Sequence, residues 1–438
     1  MKLEKVSIFG LLMLAFTSLL MATSVFFPYI NGKAMFVKVI ITIVSLIFFY
    51  LLCAHSTFRA NISNKLQVLK KNKVFSSTTI YMGIFLISTL LAVNKLLSFW
   101  GEPERGEGFV GVFFFFFFFV FSVLLFNRKN WIWFFRLNLF AGLIMFIKAV
   151  VELVNNPGIR ATAFIGNADF LALYFVFIVF SSFLIFFDSK KENNNNFSGW
   201  MLFSSISFLA SIVGLFLTQT RGALLGALTG VFITFIYFAI KGKDKFIYKN
   251  ITFKKASIVF IIASIAFVIL FIGTRHNPFW QKIPIFGRLA QISLNDNSTG
   301  SRLYATKIGL TSINPLTNGA QKFLFGWGWE NYNIAWNKNY DPKSYMFERT
   351  SLDRAHNKLV DVLVMNGLLG LLAYLSLWIF SIRAVWKMSF SAETISILFF
   401  SIAFFVQNLF VFDQISTYIP FFCLLAFIVF KTQESNEK

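Results

Sequence analysis

The stretch FLALYFVFIVFSSFLIFF, residues 170–187, runs for 18 residues without a charged side chain. As a helix, such a run is long enough to cross a hydrocarbon core about 30 Å thick. Within that core the backbone polar groups must bond inside their own segment, so the run must be helical. Similar runs recur along the 438 residues, of which 57% are hydrophobic and 13% charged. A soluble protein could not hide so much apolar surface, and the sequence therefore predicts an all-α polytopic membrane protein.

About twelve transmembrane helices are expected, with nine in residues 1–273 and three in residues 358–438, which end in a short cytoplasmic tail. Residues 274–357 form one large extracytoplasmic loop, whose Trp, Tyr and Phe content argues against disorder. The first run could be a signal peptide, but it is long for one and has no clear cleavage site, so we expect a retained span. The seven phenylalanines at 113–119 fit a lipid-facing helix. The predicted spans are residues 6–27, 36–54, 78–97, 109–126, 137–154, 170–187, 200–217, 222–240, 257–273, 359–380, 394–411 and 416–430.

The net charge of +21 follows mainly from short loops between spans, so nucleic-acid binding is not expected. If the spans alternate, these basic loops fall on one side, which the positive-inside rule makes cytoplasmic. Both termini then lie in the cytoplasm as well. The residues concerned are Arg59, Lys65, Lys70, Lys71, Lys73, Arg128, Lys129, Arg136, Lys190, Lys191, Lys241, Lys243, Lys245, Lys249, Lys254, Lys255, Arg383 and Lys387.

Metal and cofactor sites are not predicted. Cys53 and Cys423 are far apart in sequence, and the three histidines are scattered, whereas a metal site needs clustered ligands. No phosphate-binding Walker loop is present.

Four spans that begin on the outward side are preceded by Gly or small polar residues with a charge or a histidine, at residues 100–109, 164–170, 217–226 and 354–361. A helix N-terminus carries about half a positive charge and free N–H groups. Several such ends on one surface, joined by arginines, make an anion site.

Arg221 is the sharpest candidate in that site, because its loop is so short that it must lie near the outer interface, where charge is costly. The alternative is an arginine that snorkels to lipid phosphate. Arg302 opens a short amphipathic helix in the long loop and could equally be an exposed loop residue. Arg105 and Arg160 are weaker candidates.

His356 precedes a span that opens outward, and a histidine near its usual pKa of about 6.5 can accept a proton. Asp353 and Asp361 could orient it, although an interfacial histidine bonded to backbone is an equal alternative. Two outward arginines with a possible base suggest an anionic, lipid-linked substrate, since a guanidinium fork suits a diphosphate.

At these positions the chain resembles the O-antigen ligase family, which includes O-antigen ligases, Wzy-type polymerases and bacterial protein O-oligosaccharyltransferases. The resemblance rests on the order and spacing of several motifs. These are IGNADFLALY (165–174), TQTRGALLG (218–226), SRLYATKIGL (301–310), FLFGWGWENY (323–332), AHNKLVDVLVMNGLLGLLAY (355–374) and FFVQNLFVFDQISTYIPFF (404–422).

The resemblance implies a C-type glycosyltransferase-like fold in the bacterial cytoplasmic membrane and a metal-independent enzyme. Its donor would be a glycan on undecaprenyl diphosphate, held by Arg221 and Arg302, with Asn167, Arg105 and Asn357 also in the donor site. His356 would be the base that deprotonates an acceptor hydroxyl.

The acceptor stays open. An O-antigen ligase, which acts in lipopolysaccharide biosynthesis, would transfer the glycan to a lipid; a polymerase would transfer it to another lipid-linked repeat, and a third variant to a protein. From a different class, a transporter or flippase also has about twelve spans, but it should show repeats and breaks in its helices near the membrane midplane, which the sequence does not indicate.

Overall fold

The computed structural model describes residues 2–194, 196–242, 246–248, 251–291 and 297–436. In this part of the chain, nine helices are long and apolar enough to cross a membrane, and two shorter apolar helices accompany them. A two-stranded antiparallel hairpin is the one sheet described. The protein is therefore an all-α polytopic membrane protein, as predicted.

The helices are numbered in chain order. They are α1 Lys2–Met13, α2 Asn31–Ala54, α3 Ser56–Lys70, α4 Lys73–Leu90, α5 Lys95–Trp100, α6 Phe109–Leu125, α7 Arg128–Asn155, α8 Ala168–Glu192, α9 Gly199–Leu217, α10 Arg221–Lys241, α11 Phe253–Thr274, α12 Pro278–Gln281, α13 Pro284–Ala290, α14 Asn297–Ser312, α15 Pro315–Asn318, α16 Ala320–Phe325, α17 Tyr332–Lys338, α18 Lys358–Lys387, α19 Ala392–Gln407 and α20 Ile415–Asn436. Short 3₁₀ helices cover Leu14–Leu19, Ala163–Ile165 and Pro342–Met346, and the strands are β1 Phe246–Tyr248 and β2 Ile251–Thr252.

Each predicted span overlaps one of these helices. The first is shorter than expected, because α1 ends at Met13 and a 3₁₀ turn ends at Leu19. The count of twelve stays a prediction, because α1, α6 and α19 are shorter than 18 residues. The long loop is not one irregular segment, since it contains helices α12 to α17.

Helices α8 and α20 form the centre of the bundle, and 83% of the residues in their apolar windows are buried. Helix α6 packs against α20, and the described rings of residues 113–119 are buried or half-buried. The expectation that these phenylalanines face lipid is therefore wrong. Only 6% of the window of α11 is buried, and this helix packs mainly on α10.

The two ends of the helix bundle can be told apart by their charged and polar contacts. At one end, Asn72 ahead of α4 donates to Thr432 near the end of α20 at 2.7 Å, and Arg128 contacts Asp188 and Glu393 at 2.7 and 2.5 Å. We call this end, with the basic loops of α4, α7, α8, α10 and α18, the basic face. Lys243, Lys245 and Lys249 lie outside the described residues. Helix α10 begins at the other end of the bundle. We call this end the pocket face, because the start of α10 lines a pocket there.

Helix α18 breaks at Gly367, whose φ of 72° and ψ of −174° are not helical. The break frees carbonyl groups, and residues 326–328 of the long loop bind them. The Trp327 N–H donates to Val364 O and the Gly328 N–H to Met365 O, each at 2.9 Å. Loop backbone therefore packs into the break. The sequence did not indicate this break.

Glycine is required on both sides of this contact. A Cβ at Gly367 would lie 2.3 Å from Leu324 O, and one at Gly326 would lie 2.4 Å from Met365 O. Both residues also have positive φ, which costs a side-chain-bearing residue about 1–3 kcal/mol.

We expect Gly367→Ala to destabilise the fold by about 3 kcal/mol, because the strained φ and the backbone clash act together. Gly83→Ala is the matched control, since a Cβ there meets nothing within 4 Å and should stabilise α4 by about 0.5–1 kcal/mol. Thermal unfolding of the detergent-purified protein, followed by tryptophan fluorescence, checks both. Equal melting temperatures for the two variants would contradict the proposed role of the contact.

Candidate anion site

The start of α10 is the base of the site. Thr220 is the N-cap residue, but its side chain does not cap the helix; its hydroxyl oxygen instead accepts from Arg160 Nη2 at 2.8 Å. The first-turn N–H groups of α10 therefore have no side-chain cap. Such an end attracts anions through its N–H groups and its dipole.

Four arginines surround this helix start, in a pocket of about 100 Å³. They come from the loop before α8, from α10, from α13 and from α14, and among the described residues Asp169 is the one acidic residue in the lining. The pocket is lined by Arg160, Asp169, Thr220, Arg221, Gly222, Arg288, Ser298, Arg302, Gln407, Phe410 and Val411. We call it the arginine pocket. Arg221 and Arg302, distant in sequence, thus lie in one cavity, while their roles stay predictions.

Contacts among the lining groups fix part of this arrangement. Arg160 is paired with Asp169, and its Nε donates to Thr218 O at 3.0 Å. Arg221 Nη1 donates to Arg288 O at 3.4 Å, and Arg288 Nη1 donates to Gln219 O at 2.9 Å. Arg160 is therefore held by a carboxylate, and Arg221 and Arg288 are held by backbone carbonyl groups of the loop and of the segment before α10.

Arg160 and Arg288 both line the arginine pocket, although little in the sequence indicated this. Arg160 was a weak candidate, because it lies in a loop far from the other arginines in sequence. Arg288 was missed, because no pattern shows which part of a long loop folds back onto α10. Pro278 and Pro284, each at the start of a short helix, were the available signal that this part of the loop is ordered.

His356 lies beside the arginine pocket and is not one of its lining residues. Its ring centroid is 5.1 Å from that of Phe412, which directly follows the pocket residues 410 and 411. Burial lowers the pKa of His356 to about 4, and the positive charge of Arg302 acts in the same direction. The imidazole is therefore neutral at neutral pH and can accept a proton.

The backbone of His356 adopts a left-handed conformation, with φ of 54°, and its neighbours hold it. The Ala355 N–H donates to Asp361 Oδ1 at 2.7 Å, and the Lys358 N–H donates to Asn408 O at 2.8 Å. Asp361 thus accepts a hydrogen bond from the backbone directly before His356. Within the described residues, neither Asp353 nor Asp361 hydrogen-bonds to the imidazole, so the expectation that they orient it directly is wrong.

The three remaining predicted donor residues have other contacts. Asn357 caps α18 by accepting from the Leu359 N–H at 3.0 Å, and Asn167 caps α8 by accepting from the Asp169 N–H at 2.8 Å. Arg105 donates to Asp353 at 2.5 Å. None of the three lines the arginine pocket, and their part in donor binding stays a prediction.

A buried ionic cluster surrounds Arg354, two residues before His356, and the sequence did not indicate it. Arg354 contacts Glu330 at 2.5 Å and Glu107 at 3.8 Å, and all three side chains are at most 2% exposed. Burial raises the pKa of Glu107 to about 8, although the charge of Arg354 opposes this. The nearby carboxylates raise the pKa of Arg354. The cluster joins three segments of the pocket face: the one before α6, the one after Gly328 and the one that carries His356.

An apolar groove lies below the arginine pocket, between α8, α9, α10 and α19, with a volume of about 380 Å³. On α10 it extends from Leu224, three residues after Arg221, to Phe238, or roughly 21 Å along the helix axis. Its lining includes Val179, Phe183, Ile212, Phe216, Leu228, Val231, Phe235 and Phe399.

In a comparison with known families, residues 206–375 match the family model described as O-antigen ligase. This range contains Arg221, Arg302 and His356. No curated protein matches the chain. Within the described residues, no group of three or more His, Cys, Asp or Glu side chains could hold a metal ion, and metal independence stays a prediction.

We expect Arg302→Gln to raise the pKa of His356 above its value of about 4, because it removes a positive charge that disfavours the imidazolium. The rise should be smaller than the full difference from 6.5, because burial, the larger cause, remains. NMR titration of isotope-labelled histidine measures this, with His356→Asn assigning the resonance.

Lys254→Gln, on the basic face, is the charge-matched control for that titration and should leave the pKa unchanged. An unchanged pKa in Arg302→Gln would separate His356 electrostatically from the arginine pocket.

Proposed function

We propose, from the match of residues 206–375 to the O-antigen ligase family model, that the chain transfers a glycan from a polyprenyl-diphosphate donor to an acceptor hydroxyl at the pocket face. The observation that carries the proposal is the arginine pocket at the N-terminus of α10, with an apolar groove that begins at Leu224 on the first turn of the same helix. A lipid diphosphate has the same two parts in the same order.

The diphosphate would lie between Arg221 and Arg302. Guanidinium groups bind phosphate oxygens with two parallel N–H donors, and the uncapped start of α10 adds backbone donors. Arg288 contributes further charge, while Arg160 is already paired with Asp169. The prenyl chain would extend into the groove along α10. An undecaprenyl chain is the expected donor lipid.

Transfer would proceed by attack of the acceptor oxygen on the anomeric carbon of the donor sugar. The new carbon–oxygen bond forms as the bond to the diphosphate oxygen breaks, and the hydroxyl proton passes to His356. Charge then builds on the leaving diphosphate, where the fixed arginines stabilise it. The donor's own diphosphate bond supplies the driving force.

Donor binding would also make His356 a better base. An imidazole with a pKa of about 4 is neutral but weakly basic. A bound diphosphate would offset the charge of Arg302, and nearby negative charge favours the protonated imidazole. The pKa would therefore rise toward the working pH, where general-base catalysis is most efficient, only when donor is present.

An O-antigen ligase-like reaction in the bacterial inner membrane, with the pocket face outward and both termini cytoplasmic, is the main proposal. A Wzy-type polymerase and a protein O-oligosaccharyltransferase share the same chemistry and differ in the acceptor. A transporter is less well supported, because the arginines gather at one face and the break in α18 is filled by loop backbone.

We expect Arg221→Ala and Arg302→Ala each to reduce transfer by about 10²–10³-fold, by removing stabilisation of the leaving diphosphate. His356→Ala should cost about 10²–10⁴-fold through loss of the base. The assay is glycan transfer in membranes, with the amount of inserted protein measured in parallel. Lys254→Ala is the matched control, and wild-type turnover by all three site variants would refute the assignment.

Deletion of the gene in its host should distinguish the acceptors. A ligase predicts that polymer accumulates on the lipid carrier, and a polymerase predicts that single repeats accumulate. Extraction and mass analysis of lipid-linked glycans checks this. Unchanged lipid-linked glycans would count against both.

A further inference from the structure

A second cationic cavity lies on the basic face, at the far end of α18 from His356. It has a volume of about 280 Å³, between the start of α4 and the end of α18. Lys71, Lys73, Arg383 and Lys387 line it, and no acidic side chain does. All four cations are exposed, and Lys73 Nζ lies 5.6 Å from the ring centroid of Phe380. We call this cavity the basic cup.

The basic cup differs from the other cationic sites on the same face. Arg128 contacts Asp188, Glu393 and Glu434, and Lys431 is paired with Glu393. In the part of the chain that the structure describes, none of the four cup cations forms an ion pair with a carboxylate. Like charges repel one another, and the described residues supply no counterion to the cup, so the cup favours an added anion.

An apolar groove of about 630 Å³ runs from the basic cup between α18 and α19. Arg383 and Lys387 line both the cup and the groove. Along α18 the groove covers residues 375–386, or roughly 16 Å, which matches the roughly 15 Å depth of one leaflet's hydrocarbon. Its apolar lining consists of Leu375, Trp378, Ile379, Ile382, Trp386, Ile402 and Phe405.

We propose that this surface is a binding site for an anionic phospholipid of the leaflet at the basic face. The phosphate lies in the basic cup, and one acyl chain lies in the groove between α18 and α19. Charge complementarity selects an anionic headgroup over a zwitterionic one, and basic pockets between transmembrane helices bind such headgroups. Trp386 stands where the two parts meet, at a level that suits an amphipathic ring.

The positive-inside rule alone also places Lys and Arg on one face. This alternative explanation makes a different prediction for lipid binding. Residues that only orient the chain need neither a shared cavity nor an adjoining groove, and they would bind acidic lipid no better than other cations on that face. Lys241 and Lys254 are two exposed cations of the basic face that line neither the cup nor the groove. They provide the charge-matched comparison.

The test compares the wild type with Arg383→Gln/Lys387→Gln and with the control Lys241→Gln/Lys254→Gln, all purified in detergent. Phosphatidylglycerol, phosphatidylcholine or glycerophosphate is added, and the melting temperature and lipid retention in native mass spectrometry are recorded. Phosphatidylglycerol should stabilise the wild type and the control. In the cup variant its apparent affinity should fall roughly 30-fold, since each cation near the surface contributes about fivefold.

Ile402→Trp fills the groove without changing charge, and it should weaken phosphatidylglycerol binding while the basic cup stays intact. It also keeps the proposal testable if the cup variant does not fold. An equal loss in the cup and control variants would overturn the proposal in favour of a non-specific basic face. If phosphatidylcholine stabilised the protein as much as phosphatidylglycerol, the basic cup would not be a site for an anionic headgroup. If glycerophosphate did so, the groove would not be a site for an acyl chain.

Discussion

The backbone pairing between residues 326–328 and the broken turn of α18 is the constraint on which the pocket face depends. Helix α18 gives up its own bonds at Gly367, and a buried carbonyl left without a donor costs about 1–3 kcal/mol. The N–H groups of Trp327 and Gly328 satisfy two such carbonyls. The long loop is thereby anchored to the bundle, and Glu330, two residues further on, reaches Arg354 next to His356.

The arginine pocket and His356 form one electrostatic unit. Four arginines line the pocket, and the positive charge of one of them, Arg302, adds to burial in lowering the pKa of the neighbouring imidazole, which keeps it neutral. The same positive charge that would hold a diphosphate therefore prevents early protonation of the base. The ionic cluster of Arg354, Glu330 and Glu107 is sealed from solvent and positions the chain around His356, so two groups of charges at this face have separate tasks.

Hydropathy predicted the positions of the apolar helices well, because an apolar run that crosses a bilayer must satisfy its backbone polar groups within a helix. Position relative to a span was enough to single out Arg221, whereas the helical pattern around Arg302 left an exposed loop residue as an equal alternative. The sequence could not place Arg288, because the path of a long loop depends on tertiary packing. It missed the break at Gly367, since a glycine in an apolar run also suits close helix packing. It assigned Asn167 and Asn357 to the donor site, and in the structure both side chains are helix caps.

Helix α11 is the least buried of the nine candidate spans in the described residues, and it adjoins the segment that carries Arg288. It contacts the bundle mainly through α10, for example by the Phe235–Phe260 stack at 3.8 Å, and only 6% of its apolar window is buried. Near its C-terminus, Phe271 packs on Trp280 and Phe286, and Phe286 lies two residues before Arg288. The tilt of a transmembrane helix with few packing partners follows the thickness of the bilayer around it. We therefore expect bilayer thickness to shift Arg288, and with it the number of guanidinium groups that a ligand in the arginine pocket meets.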